Sequence, residues 1–417
     1  MKTRPRILCL LAALMLLAVW PARAETRLML ATDLHYIDPV YVESAHRLSE
    51  SAAYGDGKMP HYSADWLEAL VQEAIWQQPD ALILAGDQTY NGEVLSHKAV
   101  SEAMDRVRDA GIAVYAIPGN HDINNDNAVY YRQDGYDATH SLTLERYDKY
   151  YARFGPEQSF SRDAASKSYA VALTDTLWLL MLDAGIYEPS AEPFGLIEAS
   201  TQTWLTDLLE RARARDTTVI TVTHQSMLPH SERVTGGYMI INWESVSDLL
   251  IEYGVRLNLS GHIHIQHIAE KGSLHDVSTA ALSASPHNYG LVTIEEDGGI
   301  RYEVQTLRDD FLPEGRTAES RAFFHQVSRD KALAGLYDSA LSQADRERMA
   351  DFAATVNAHY YAGKLAAARA ELLGEDALAL WLSMPEDAFW AGYLREMMAE
   401  DVADMSTLYL PSPGRTR

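Results

Sequence analysis

Residues 112–122 read IAVYAI-PGNHD, an apolar, partly β-branched run followed by Pro118, Gly119, Asn120, His121 and Asp122. The first six residues have the makeup of a buried strand, and Pro-Gly is a turn signal. A strand that ends in a tight turn can expose an amide, an imidazole and a carboxylate side by side. Such a turn is either a capped surface loop or the rim of a site. Five residues do not decide between the two, so the rest of the chain has to.

Four other apolar runs end in the same way. RLMLAT (27–32) runs into Asp33-Leu34-His35, and ALILAG (81–86) into Asp87. TVITVT (218–223) runs into His224, and VRLNLSG (255–261) into His262-Ile263-His264. Between them, DWLEALVQEAIWQQ, HKAVSEAMDRVRDAG, STQTWLTDLLERARARD and WESVSDLLIEYG have helical spacing with a charged opposite face. SYAVALTD/TLWLLMLD and YGLVTIEEDGGIRYEVQTL read as hairpins, the second turning at Asp297-Gly298-Gly299. These alternations give an α/β fold with mixed sheets. Strand carboxyl ends in such sheets face a common crevice where ligands bind. One histidine after a strand is ordinarily a hydrogen-bonded structural residue, and one aspartate after glycine a turn residue. Five strands all ending in metal-ligand types leave that plain explanation little room.

The ordered series D-x-H, GD, GNHD, a histidine after a strand, and GHxH resembles the calcineurin-like metallophosphoesterase superfamily over residues 27 to about 307. The resemblance implies a two-sheet α/β sandwich flanked by helices, with a two-metal site. Carried over position by position, one metal takes Asp33, His35, Asp87 and His264, and the other Asp87, Asn120, His224 and His262. All eight ligand positions are filled, with Asp87 counted twice. His121 resembles the family's non-ligand histidine near the phosphate, which stabilises transition-state charge and protonates the leaving oxygen. Asp122 then either orients His121 or caps the turn.

Chemistry supports the same assignment independently. An all-N/O set without thiolates suits two divalent ions such as Mn, Fe or Zn. A bridging carboxylate at Asp87 follows a glycine that gives it room. Two such ions can clamp the oxygens of an in-line displacement at phosphorus, the nucleophile being a hydroxide held between them. His262 and His264, two apart in an extended segment, share a face and each serve one metal.

The remaining histidines have simpler readings. His46, His61, His97, His140, His275, His325 and His359 match no motif and are expected as surface or core residues. His230 and His267, close to ligand blocks, are candidates to touch substrate. Asn124, Asn125 and His287 are candidates for the rim.

The chain has 417 residues, with 35 basic and 59 acidic side chains and a net charge of −24. That surface repels long polyanions and anionic lipid, which argues against a nucleic acid polymer as partner. A small phosphoester is compatible, because bound cations invert the field locally. MKTRPR, the apolar run ILCLLAALMLLAVW and PARA form the basic, apolar and Ala-x-Ala parts of a signal peptide over residues 1–24. The run is short for a membrane span, so the mature chain is expected without stable membrane insertion, periplasmic or secreted. Cys9, the one cysteine, falls in that leader, so the mature chain has neither disulfides nor thiolate ligands.

The domains expected are the leader (1–24), a metallophosphoesterase domain (25–312) and a small helical C-terminal domain (313–417). In the last, Met349, Phe352, Val356 and Tyr360 mark one apolar face, continued by Leu372, Leu378, Trp381 and Leu382. YSADWLEAL, GDQTYNGE, PGNHDINN and SGHIHIQ bring the chain closest to exported bacterial members similar to class III cyclic-nucleotide phosphodiesterases. The resemblance implies hydrolysis of small phosphodiesters, with 3′,5′-cyclic nucleotides among the candidates. A phosphomonoesterase or nucleotide pyrophosphatase would use the same site, because the ligand set grips only the phosphoryl group. A non-catalytic binding module on this fold would be expected to have lost ligands, and a role in adhesion rests on the helical domain alone.

Overall fold

The computed structural model describes residues 25–53, 55, 57–233, 236–385, 387–399 and 404–412. The leader expected over residues 1–24 lies outside them. Every run read as a buried strand is one. β1 (Thr26–Ala31), β2 (Ala81–Ala85) and β3 (Ala113–Ile117) lie side by side in parallel. β4 (Val129–Tyr131) and β5 (Tyr136–Ala138) form a small separate hairpin. The next seven strands are β6 (Ser161–Arg162), β7 (Tyr169–Thr174), β8 (Leu177–Met181), β9 (Thr218–Val222), β10 (Leu257–Ser260), β11 (His267–Lys271) and β12 (Leu274–Ser278). They make one sheet in the order β11-β12-β10-β9-β8-β7-β6. β13 (Asn288–Ile294), β14 (Ile300–Thr306) and β15 (Thr407–Leu410) complete the other, in the order β15-β14-β13-β1-β2-β3. The expected hairpins are β7/β8 and β13/β14.

The two sheets pack face to face. Leu28 and Leu30 of β1 point between them, against Ile83, Ile117, Leu179, Val222 and Leu259. Met29 and Ala31, on the other face of the same strand, meet Trp66, Leu70, Val100 and Met104. Those residues belong to α2 (Ser63–Gln77) and α3 (Val94–Asp109), which follow α1 (Ala45–Ala53) and precede α4 (Leu144–Tyr151). α5 (Ala199–Ala214) and α6 (Trp243–Glu252) cover the second sheet through Leu205, Leu209, Val246 and Leu250. A parallel strand buried on both faces must be apolar at nearly every position, as ALILA is.

Register decides where the polar residues emerge. Ala31 lies opposite Leu84, and Leu84 opposite Ala116, so β1, β2 and β3 end level with one another. β9 and β10 are parallel too, with Val222 opposite Leu259. The carboxyl ends of five strands therefore open on one crevice.

The C-terminal region is helical from Arg316 to Ala399: α7 (Arg316–Ala334), α8 (Gln343–Tyr361), α9 (Leu365–Leu372), α10 (Asp376–Ser383) and α11 (Phe389–Ala399). Its predicted apolar face is buried at Met349, Phe352, Val356, Tyr360, Leu372, Leu378 and Trp381. Leu382 is a correction, being 45% exposed. Trp381 turns inward, its indole N–H donating to the Met349 carbonyl at 2.8 Å. The next residue, about 100° further round a short helix, then faces out. After the helices the chain returns to the sandwich as β15, antiparallel to β14 with Leu410 opposite Ile300. Four residues, TLYL, are too few for periodicity to reveal, and the sequence reading placed no strand there. Among the described residues, no helix is long and apolar enough to cross a membrane.

Candidate metal centre

Three of the five strands, β1, β2 and β10, deliver their candidate ligands by a sharp change of backbone direction. Asp33, His35, Asp87, His262 and His264 all have positive φ, between 43° and 68°. Left-handed backbone at non-glycine residues is costly and collects at functional sites, where the surroundings enforce it. Here it lets two residues of one short segment both face the crevice. It also corrects one expectation. His262 and His264 are not in extended backbone, because β10 has ended at Ser260 and the Ile263 N–H turns back to the Gly261 carbonyl at 2.8 Å.

The side chains form two groups that share one member. Asp33, His35, Asp87 and His264 have ligand atoms all within 4.8 Å of one another, and so do Asp87, His224 and His262. His264 Nε2 lies 3.0 Å from Asp33 Oδ1 and 3.1 Å from His35 Nε2. His224 Nε2 lies 3.1 Å from Asn120 Oδ1 and 3.2 Å from Asp87 Oδ2. Asn120 thus lies beside the second group. Ligands about 2.1 Å from one ion in a tetrahedral or octahedral shell lie about 3–3.5 Å apart; these four pairs have that spacing, and His35 lies slightly further from Asp33 and Asp87, at 3.7 and 3.8 Å. Asp87 Oδ2 is fully buried and faces His224 and His35 without a hydrogen-bond donor aligned on it. The donors fit a pair of divalent ions, with Asp87 shared between them.

Electrostatics bring His35, His262 and the two carboxylates, but not His224, to the protonation states that metal binding needs. Burial holds His35 well below the usual imidazole range, and His262 at about 3, leaving neutral rings with a lone pair. Burial works to raise Asp33 and Asp87, but the imidazoles of His264 and His224 respectively outweigh it, and both carboxylates stay low. At His224 burial works downward, yet the adjacent Asp87 carboxylate lifts the ring to about 9. A divalent ion would replace that proton as the partner of Asp87. His224 Nδ1 is already fixed on the Ala85 carbonyl at 2.8 Å, which leaves Nε2 for the metal side.

His121 lies beside the two groups, its ring 4.7 Å from that of His35. Its Nδ1 donates to the Tyr90 carbonyl at 2.6 Å and lies 3.1 Å from Asn91 Oδ1, so Nε2 is the nitrogen left for a ligand. Asp122 was given two possible tasks, and the turn cap is the one displayed. Its carboxylate accepts from the Gly119, Gln88 and Thr89 backbone N–H groups at 2.8, 3.2 and 2.9 Å. Tyr90 and Asn91 hold His121 in its place. Burial, and then the charge of Asp87, push Asp122 up to about 7. The cap keeps the GNHD turn against the loop after β2. Gly119 is required there, because a Cβ at that position would strike the Asp87 carboxylate. Gly119→Ala would also press on the Asp87 backbone nitrogen and the His224 ring, so it should shift both and bind less metal; unchanged metal content by elemental analysis would refute this.

Other candidates fall outside the centre. His230 and His267 are buried against each other at 3.0 Å, with His230 on Asp276, away from the crevice lining. His287 is not at the rim; it stacks on Trp66 and bonds the Leu282 carbonyl and Ser320. Asn125 lies behind the turn, 3.4 Å from the Asn120 carbonyl, and Asn124 bonds Tyr187 and Glu188. The sequence reading missed Lys58, whose Nζ lies 3.4 Å from His35 Nε2. It sits in a stretch, GDGKMP, with no motif to mark it. Also missed was the far wall of the crevice, a cavity of about 540 Å³ running from Asp87, Asn120, His121, His262 and His264 to side chains of α7, α8 and α11.

Residues 26–266 match the family model of calcineurin-like phosphoesterases, and residues 317–404 that of the C-terminal domain of cyclic nucleotide phosphodiesterase. No curated protein matches the chain at a significant level. Among solved structures, a dimetal phosphatase from Danio rerio is 14% identical, with a TM-score of 0.45, covering 68% of this chain and 96% of that one. Purple acid phosphatase from yellow lupin seeds is 11% identical with a TM-score of 0.42, covering 69% of this chain and 52% of its own. A Staphylococcus aureus protein described as a putative 5′-nucleotidase is 15% identical with a TM-score of 0.40, covering 74% of this chain and 59% of its own.

Proposed function

This chain belongs to the calcineurin-like phosphoesterase family, and on that premise we propose that it hydrolyses small phosphodiesters, 3′,5′-cyclic nucleotides among them, with two divalent metal ions. The observation that carries the proposal is the sharing of Asp87 between two buried ligand groups. When bound, such ions act as Lewis acids on phosphoryl oxygens. Mn, Fe and Zn suit the nitrogen and oxygen donors. The preference for diesters is supported by the match of residues 317–404 to a cyclic nucleotide phosphodiesterase domain, and by the helical wall facing the ligands.

The chain's own residues do the remaining work. Tyr90 fixes the Nδ1 proton of His121, so Nε2 faces the crevice, and only the imidazolium form holds there a second proton to give to a departing oxygen. Burial keeps that ring below the ordinary histidine range, with Lys58 acting in the same direction and Asp87 against them. Lys58 brings a cation to the crevice, as an anionic substrate in an acidic protein requires. The basic start and short apolar run of residues 1–24 support export, with a mature amino terminus at Glu25. Mass spectrometry of the exported protein checks that; a retained leader would remove it.

Hydrolysis of cyclic nucleotides, linear diesters, monoesters and pyrophosphates by metal-reconstituted protein tests the proposal. Diesters should lead; activity confined to monoesters or pyrophosphates would replace it. His121→Ala should keep both metals and slow cyclic nucleotide turnover by about 10²–10⁴-fold, the usual worth of general acid catalysis. A ribose hydroxyl leaves poorly without a proton and a nitrophenolate leaves well, so a nitrophenyl diester should suffer little. Equal defects on both would make His121 a phosphate-positioning residue only.

A further inference from the structure

The metal ligands face one end of the 540 Å³ cavity, and its other end is built differently. α11 presents Phe389 and Trp390 there with Arg233 of the loop after β9 against it, while Tyr238 of the same loop lines the cavity beside His262. Phe389 is 57% exposed and Tyr238 is 40% exposed. Two large exposed rings in the lining of one cavity are the kind of apolar surface that marks a ligand groove.

The rings are held in place. Phe389 stacks on Tyr393, with planes 15° apart and centroids 5.6 Å apart, and Trp390 meets both edge-on at 6.0 and 5.6 Å. The Tyr393 hydroxyl donates to Asn357 of α8 at 3.0 Å, so the α11 rings are fixed relative to the helical core. Tyr238 lies on the metal side, its ring 5.5 Å from that of His262. Arg233 lies against α11 because residue 392 is glycine; a Cβ there would strike the guanidinium. Its Nε is 3.8 Å from Glu396, a loose pairing that leaves the planar fork partly exposed to the cavity.

Flat rings near an exposed guanidinium match a ligand with a π-face and hydrogen-bonding edges. The metal ligands recognise only a phosphoryl group, so discrimination between esters has to come from surfaces such as this one. We propose that the α11 rings, with Tyr238 and Arg233, hold the nucleobase of a nucleotide phosphoester whose phosphoryl group lies at the metal ligands. Specificity is then set by the helical region and the loop facing it. This rests on the reading of the crevice as a phosphoester site.

Calorimetric titration of the full, metal-loaded mature protein compares AMP with ribose 5-phosphate, with chromatography afterwards to check that each ligand is intact. AMP should bind about 10-fold more tightly or better, from the usual worth of base–aromatic stacking. Phe389→Ala combined with Tyr238→Ala should bring the affinity ratio towards one, and Phe389→Tyr should restore it. Both rings are exposed enough to be replaced without unfolding the core. Equal affinities in the wild type, a ratio that survives the double substitution, or no AMP binding up to millimolar concentration would each overturn the proposal. The reaction is tested separately. Diester hydrolysis with no preference for a base would spare the function and remove the base site. A retained AMP preference with no phosphodiesterase activity would do the opposite.

Discussion

Asp87→Asn should strip both metal ions and lower phosphoester hydrolysis by about 10³-fold or more. Loss of a single positioned donor at an active site costs about 10²–10³-fold, and Asp87 serves two ions. The substitution keeps the shape of the side chain, and its amide oxygen can still accept from the His121 backbone nitrogen, which lies 2.8 Å from Oδ1. The GNHD turn should therefore survive, and the damage should be electrostatic. It removes the negative charge that both His224 and His35 face. His35→Ala or His224→Ala, each confined to one ligand group, should cost one ion and less activity. Elemental analysis beside kinetics checks both parts. Two ions per chain in Asp87→Asn, or hydrolysis that survives chelation, would sink the two-metal reading.

The second large effect concerns the helical region. A chain ending at Leu307 should lose its metals even if it stays soluble. Residues 262–265 alternate: His262 and His264 face the ligand groups, while Ile263 and Ile265 enter the hydrophobic core of α8, α10 and α11. Each buried isoleucine contributes about 1.5–3 kcal/mol. Gln266 adds its backbone N–H to the Tyr361 carbonyl at 3.1 Å and its side chain to Met405 at 2.9 Å. Without these anchors, the left-handed backbone at His262 and His264 loses what enforces it. Ile265→Ala in the full chain tests the same point with less damage. It should destabilise by about 2–5 kcal/mol and weaken metal binding. A shortened chain with both ions and unchanged kinetics would make the helices an independent appendage.

The sequence made most of the sandwich legible, because its central strands are buried on both faces. ALILA, AVYAI and TVITV carry no charged residue, Thr221 of the last being fully buried, and each runs into a candidate ligand. The ligands were legible for the same reason: register ties strand ends to one edge, so linear order becomes spatial order. What could not be read depends on contacts between distant segments. Lys58 reaches His35 from a loop without periodicity. Tyr90 and Asn91 hold His121 through a backbone carbonyl and an amide, which no side-chain motif records. The apolar character of Ile263 and Ile265 was visible, but not that a core more than 60 residues later would receive them. Asp122 was ambiguous because an aspartate after such a turn can serve either neighbour, and only the positions of three N–H groups decide.

β15 has a consequence for motion. It pairs with β14, the strand from which the chain left to form the helices. The helices are thus a long excursion between two neighbouring strands, clamped at both ends to one sheet edge, and are not a tail. Two adjacent attachments could still act as a hinge, but Ile263 and Ile265 are buried in the helical core between them, so a door-like swing would expose both, whereas sliding or rocking in place would not. Fluorophore pairs spanning the cavity should accordingly report small displacements on ligand binding, with side chains at its mouth admitting the ester while the wall behind them stays put.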